Sequence, residues 1–249
     1  MALFPARPEP VANVGRIAAL DMARGMSVVG MIVFHFVRDL EFFGWLPYGA
    51  TLLGGWPVFA RLVAGSFLAL SGVSLFLAHG AGIRWRPFLR RLAVLLLAAA
   101  GVSLVTWIAM PQAFVHFGIL HVLALSSVLG LACLRLPVTL LIALAVVVWV
   151  LPDLARSTAF DHPWLWWLGL SAHTPPSLDF EPILPWFTPF LGGIATAKIL
   201  RNAGWLPRIA RCPDAAPGLS WLGRNALLVY LIHQPVLLAV LWLTQFLTR

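Results

Sequence analysis

The run IAALDMARGMSVVGMIVFHFV, residues 17–37, decides the fold. A bilayer core of about 30 Å is crossed by about 20 helical residues, and this stretch has that length with Asp21, Arg24 and His35 as its ionisable residues. Five more runs of the same kind lie at 56–78, 88–109, 115–134, 183–199 and 226–246. A seventh, 138–151, has about 14 residues and reaches about 21 Å at 1.5 Å per residue, so it spans with Pro137 and Pro152 in the headgroup region. The composition agrees. Of 249 residues 61% are hydrophobic and 10% charged, with a mean hydropathy of +0.91, whereas a soluble domain has about 25% charged residues. The expected fold is all-α: a polytopic membrane helical bundle of about seven transmembrane helices, with 1–249 as a single domain. Disorder, coiled coil, collagen and a disulfide scaffold are excluded, since Cys133 and Cys212 are the two cysteines.

A formal charge of +8 in a soluble chain would point to nucleic acid. In a membrane protein it records topology, because cytoplasmic loops collect Lys and Arg, and no nucleic-acid partner is expected. One set of segments holds Arg7, Arg16, Arg84, Arg86, Arg90, Arg91, Arg135, Lys198, Arg201, Arg208, Arg211 and Arg224. The other holds Arg38, Arg156 and Arg249 beside Asp39, Glu41, Asp153, Asp161, Asp179 and Glu181. This split places the N-terminus in the cytoplasm and the C-terminus outside. Residues 1–16, with three prolines and no apolar core, form a cytoplasmic tail rather than a cleavable signal. The long outer loop, 152–182, carries Trp164, Trp166 and Trp167, which read as a headgroup anchor or a re-entrant flap. Gly65 and Ala69, with Gly193 and Ala197, are small residues at the four-residue spacing that lets membrane helices approach closely.

An ionisable side chain within the bilayer needs a partner or a purpose. Asp21 and Arg24 are three apart and can pair on a helix surface. From Arg24 to His35 is eleven residues, a rise of about 16.5 Å that returns to within about 20° of the same face. One stripe thus carries a cation at one end and an imidazole toward the other. A purely structural reading stands beside it, with Asp21 and Arg24 neutralising each other and His35 bonding a carbonyl of the next helix. Arg61, His116, His121 and His233 are further ionisable candidates. No HExxH, GxSxG or P-loop spacing occurs, so no metal is expected.

The stretch RIAALDMARGMSVVGMIVFHFVRDL (16–40) resembles the opening of the bacterial relatives of heparan-alpha-glucosaminide N-acetyltransferase, within the wider transmembrane acyltransferases. ARLVAGSFLALSGVSLF (60–76), FGILHVLALS (117–126), DFEPILPWFTPFLGG (179–193) and WLGRNALLVYLIHQPVL (221–237) match in the same order. The resemblance implies an acyl-CoA donor, usually acetyl-CoA, taken from the cytosol. It also implies an acceptor hydroxyl or amine on the far side, from an envelope glycan or amino-sugar-type molecule. A multi-pass protein of a bacterial inner membrane is implied, in contact with the lipid bilayer, with homo-oligomerisation left open. Arg24 and His35 match the arginine and first-helix histidine of the wider superfamily. In that frame His35 is the base or a transient acyl carrier, since an imidazole of pKa about 6.5 suits proton removal near neutral pH. Arg24 meets the CoA and Asp21 orients it. His121 or Arg61 would stabilise the oxyanion, His233 is a second base or orienter, and Arg61, Asp39 and Asp179 lie on the acceptor side. A proton-coupled transporter, with His35, His121 and His233 as a relay, is the alternative reading.

Overall fold

The computed structural model describes residues 16–248; the stretch 1–15 of the expected tail lies outside them. Among the described residues the chain forms α1 (Ala18–Phe42), α2 (Trp56–His79), α3 (Trp85–Ala109), α4 (Ile119–Cys133), α5 (Val138–Ala155), α6 (Ile183–Asn202), α7 (Leu206–Ala210), α8 (Pro217–Arg224) and α9 (Ala226–Leu247). Six of these, α1, α2, α3, α5, α6 and α9, are long and apolar enough to cross a membrane, and α4 is a shorter apolar helix. The chain is a polytopic helical membrane bundle.

Two helix boundaries differ from the sequence expectation for physical reasons. α5 does not stop before Pro152 but runs on to Ala155, which makes it 18 residues and shortens the outer loop at its start. Proline gives up its own bond to the preceding turn and crowds the carbonyl four residues back, a cost confined here to the last turn of the helix, and Arg156 N–H closes the end by donating to the Pro152 carbonyl at 3.2 Å. α4 starts at Ile119, not at Val115. The lead-in bonds instead to the outer loop: Leu178 N–H donates to Ala113 O at 2.8 Å and Glu181 N–H to Phe117 O at 2.9 Å. Non-helical backbone at membrane depth is tolerated where protein covers it, and Val115, Gly118, Ile119, Leu120 and Val122 are buried.

Lipid tails are as apolar as leucine, so helices in a bilayer associate by close packing rather than by expulsion of water. The larger core joins α2, α4 and α6 through Leu68, Leu75, Val122, Phe190, Leu191 and Ile194. A Cβ on Gly193 would strike the Ala69 carbonyl, and one on Gly72 would strike the Phe190 carbonyl. The Gly193–Ala69 contact is the close approach expected from the small-residue spacing. Gly65 contributes less, its nearest neighbour being the Pro189 side chain. A smaller core of Val28, Met31 and Val229 joins α1 to α9 beside α2. Here α8, outside any of the apolar runs, is pressed onto α1: a Cβ on Gly25 would meet Leu219 O and one on Gly223 would meet Asp21 O.

The outer loop is organised around Asp161. Its Oδ1 accepts from Ser171 Oγ at 2.7 Å, Ala172 N at 2.8 Å and His173 N at 3.0 Å, while Oδ2 meets His173 Nδ1 at 2.9 Å. These bonds, with that from His173 foremost, hold its carboxyl below the usual range. The three tryptophans divide. Trp164 is 81% exposed, whereas Trp166 turns inward, donating Nε1–H to Asp161 O at 2.9 Å and lying 5.2 Å from the His116 ring.

Candidate functional site

α1 carries the polar residues of the site in two groups. Near its start, buried Asp21 accepts from Arg16 Nε at 2.7 Å and from Arg24 Nη1 at 3.2 Å. Arg24 also donates through Nη2 to Ser74 Oγ on α2 at 3.0 Å. The expected Asp21–Arg24 pair is therefore present and extended by two residues. At the same end Lys198 donates to the Leu136 carbonyl, and the Lys198 and Arg201 cations sit 5.7 and 4.8 Å from the Phe76 ring centroid.

Three turns further along α1, His35 faces His233 of α9, with ring centroids 4.9 Å apart and planes at 82°. Each ring is tied to its own helix. His35 Nδ1 lies 2.9 Å from Met31 O, and His233 Nδ1 lies 2.6 Å from Tyr230 O. A carbonyl only accepts, so each Nδ1 carries the proton and each Nε2 keeps a lone pair. The carbonyl that holds His35 belongs to α1 itself, not to the next helix as the structural reading of the sequence would have it. Both rings are thus oriented with a basic nitrogen outward, the tautomer a general base requires.

One turn beyond, Asp39 accepts from Gln234 Nε2 at 2.7 Å. Asp39 and His233 are 5% and 8% exposed. From the other flank, Tyr230 OH approaches Asp179 Oδ2 at 3.4 Å, and Asp179 Oδ2 accepts from Ile119 N–H at the start of α4 at 2.9 Å. A carboxylate suits a helix N-terminus, where unsatisfied N–H groups and the helix dipole favour negative charge. Gly118 is what admits it, because a Cβ there would collide with the Asp179 carboxylate. Burial raises the Asp179 carboxyl above the usual range. Glu181 beside it is pushed up to about 9, by burial first and by the negative charge of Asp179 second, against the opposing charge of Arg61.

The structure brings His35, His233, Asp39 and Asp179 into one connected region, with exposed Arg61 within electrostatic reach of Glu181. His121 stands apart: Gly118 N–H donates to its Nδ1 at 3.2 Å and its Nε2 lies 3.3 Å from Ser103 Oγ on α3. These bonds make His121 a cap on α4. Tyr230, Gln234 and Glu181 were not singled out in the sequence. Tyr230 and Gln234 could have been, as polar side chains bracketing His233 within an apolar run. Among the described residues no group of His, Cys, Asp and Glu is arranged to hold a metal ion.

A polytopic helical membrane protein with a fixed histidine pair between its first and last long helices is the class that the fold and site define. The chain belongs to the family described as heparan-alpha-glucosaminide N-acetyltransferase, catalytic, whose profile matches residues 16–235. It is thus a multi-pass membrane protein of an acetyltransferase family. No curated protein and no solved structure matches it.

Proposed function

We propose that the chain is a single-domain transmembrane acyltransferase of a bacterial inner membrane. It moves an acyl group, acetyl foremost, from cytosolic acyl-CoA to a hydroxyl or amine of an envelope glycan or related acceptor. The observation that carries this reading is the His35–His233 pair, each Nδ1 tied to a main-chain carbonyl, in a chain of an acetyltransferase family.

With the N-terminus in the cytoplasm, Arg24 lies toward the cytosolic mouth and His35 about 16.5 Å deeper along α1, at 1.5 Å per residue. Arg24, held by Asp21 and Ser74, binds a CoA phosphate or lines the pantetheine path, and Asp21 orients it. His35 Nε2 removes the proton of the acceptor N–H or O–H as that atom attacks the thioester carbonyl. The new C–N or C–O bond forms, charge gathers on the carbonyl oxygen, and the C–S bond then breaks. The thiolate leaves with the proton from His35, so the products are acylated acceptor and free CoA thiol. His233 fixes the His35 ring and is a second base. Arg61 supplies positive charge on the acceptor side, where Asp39 and Asp179 also lie. His121 supports the start of α4 and, beside Arg61, is the other candidate to polarise the oxyanion.

The test is isotope transfer from labelled acetyl-CoA in nanodiscs holding the purified protein and envelope lipids. Labelled lipid or glycan is expected. Absence of acetyl-CoA binding would replace the transferase reading with that of a proton-coupled transporter.

A further inference from the structure

α5 and α6 lie side by side and antiparallel, bonded at two levels. Thr188 Oγ1 of α6 donates to the Ala145 carbonyl of α5 at 3.2 Å. Further along α6, Lys198 Nζ donates to the Leu136 carbonyl, in the turn that leads into α5. Around these levels the two helices enclose a groove of about 220 Å³, lined by Leu141, Ile142, Val146 and Trp149 of α5 and by Gly192 and Ala195 of α6. Ile142, Val146, Trp149 and Gly192 are exposed, so in a bilayer the groove opens to lipid. Its walls present apolar atoms alone, and the Thr188 hydroxyl at its edge is already bonded to Ala145. A polar occupant would lose its hydrogen bonds to water there without replacement. Hydrocarbon fits.

Lys198 stands three residues past Ala195, about 4.5 Å further along the α6 axis, and is 8% exposed. Its ammonium carries three donors, of which the Leu136 carbonyl takes one, and the Phe76 ring faces the charge from 5.7 Å. Arg201, one turn on, shares that ring at 4.8 Å and is exposed, as is Arg135 beside Leu136. Among the described residues neither Lys198 nor Arg201 has a carboxylate within 4 Å. An aromatic face stabilises a cation only in part, and a buried charge calls for an opposite one. A cationic mouth on an apolar, lipid-facing groove is complementary to an anionic head joined to a hydrocarbon chain.

We propose that the α5–α6 groove binds an anionic phospholipid from the leaflet on the Lys198 side, with one acyl chain in the groove and the phosphate against Lys198 and Arg201. On the orientation derived from loop charge this is the cytoplasmic leaflet, where basic sites between helices meet anionic headgroups. CoA shares the phosphate chemistry but not the tail, since the amides of its pantetheine arm would go unpaired in this groove. The site therefore stands whichever reaction the chain performs.

The test titrates the purified full chain in detergent with dioleoyl phosphatidylglycerol and dioleoyl phosphatidylcholine, which share their chains and differ in headgroup charge. Native mass spectrometry counts the lipids retained. Wild-type protein is expected to keep one phosphatidylglycerol about tenfold more strongly than phosphatidylcholine. Lys198→Gln, which retains a donor for the Leu136 carbonyl, and Arg201→Gln should each move that ratio toward one. Gly192→Leu, whose added Cβ meets open space, should fill the groove and reduce retention of both lipids. Melting temperature reports folding of each variant, and exposed Arg201 carries the charge test should Lys198→Gln not fold. Equal retention of the two lipids by wild type, an unchanged ratio in the folded charge variants, or undiminished retention in Gly192→Leu overturns the lipid site. Displacement of phosphatidylglycerol by excess acetyl-CoA would give the two cations to a nucleotide instead. A dimer mass that Gly192→Leu abolishes would give the groove to a second copy of the chain. Either result overturns the lipid site as well.

Discussion

Arg16, eight residues before Arg24 and just ahead of α1, makes the shorter of the two bonds to Asp21: 2.7 Å from its Nε, against 3.2 Å from Arg24 Nη1. One buried carboxylate thus serves two arginines. Arg24→Ala leaves Asp21 bonded to Arg16, so the variant is expected to insert and fold. It should lose acyl-CoA affinity by about 1.5–3 kcal/mol, the scale of a hydrogen bond to a charged group. Asp21→Asn deprives both arginines and should lower thermal stability more than Arg24→Ala does. Calorimetric titration and melting in detergent measure the two effects. Wild-type affinity in Arg24→Ala would confine Arg24 to a structural role.

Removing the base should be visible as a loss of rate with binding retained. His35→Gln keeps a hydrogen-bonding side chain but cannot take up a proton, and loss of a general base costs about 10² to 10⁴ in rate. His233→Gln should cost less, and His121→Gln least in the chemical step, with its main effect on stability through the start of α4. Near-normal transfer by His35→Gln, beside a severe defect at His233, would move the base to α9.

The carboxyl of Glu181 provides a pH test outside the spanning helices. Its pKa rises from the usual 4.5 to about 9 in the folded protein, so between those values the folded state binds more protons than the unfolded one. Stability therefore falls as pH rises across that window. Glu181→Gln should flatten the dependence of melting temperature on pH between about 5 and 9. A variant whose curve keeps the wild-type slope would mean that Glu181 is already ionised when folded.

Close approach of α2 and α6 predicts intolerance at two glycines. Gly72→Ala and Gly193→Ala each place a methyl against a backbone carbonyl, and overpacking of this kind costs about 1–3 kcal/mol. Gly192→Ala, with open space around it, is the control. Melting of the three variants in one detergent ranks them, and equal stabilities would show that the helices can part without cost.

Orientation follows from charge and is tested by fusions. A reporter active only in the cytosol should be silent after Arg249 and active between Asn202 and Gly218. The reverse pattern would invert the bundle and put Arg24 on the far side.

The spanning helices were legible because an apolar run of membrane length has few other readings, and the stripe from Asp21 to His35 because ionisable residues stand out within one. Which helix His35 meets was not legible. Periodicity assigns a side chain to a face of its own helix, while the partner, 195 residues away for the neighbouring Asp39–Gln234 bond, is chosen by packing. α8 escaped notice because it is short and ends at Arg224, outside any apolar run. The start of α4 was misplaced because residues 113–117 bond to a loop more than sixty positions later, a competition that no local pattern contains.

The contact of Gly223 with the Asp21 backbone also bears on the order of assembly during synthesis. The first helix enters the bilayer with its acid, its arginine and its histidine long before α8 and α9 leave the ribosome. Until they arrive, His35 has no facing ring and Asp39 no amide. On the proposed acyltransferase reading, a nascent or truncated chain that stops before α8 would therefore carry most of the polar residues yet lack the facing ring and the amide, and translation of the last two helices completes the site.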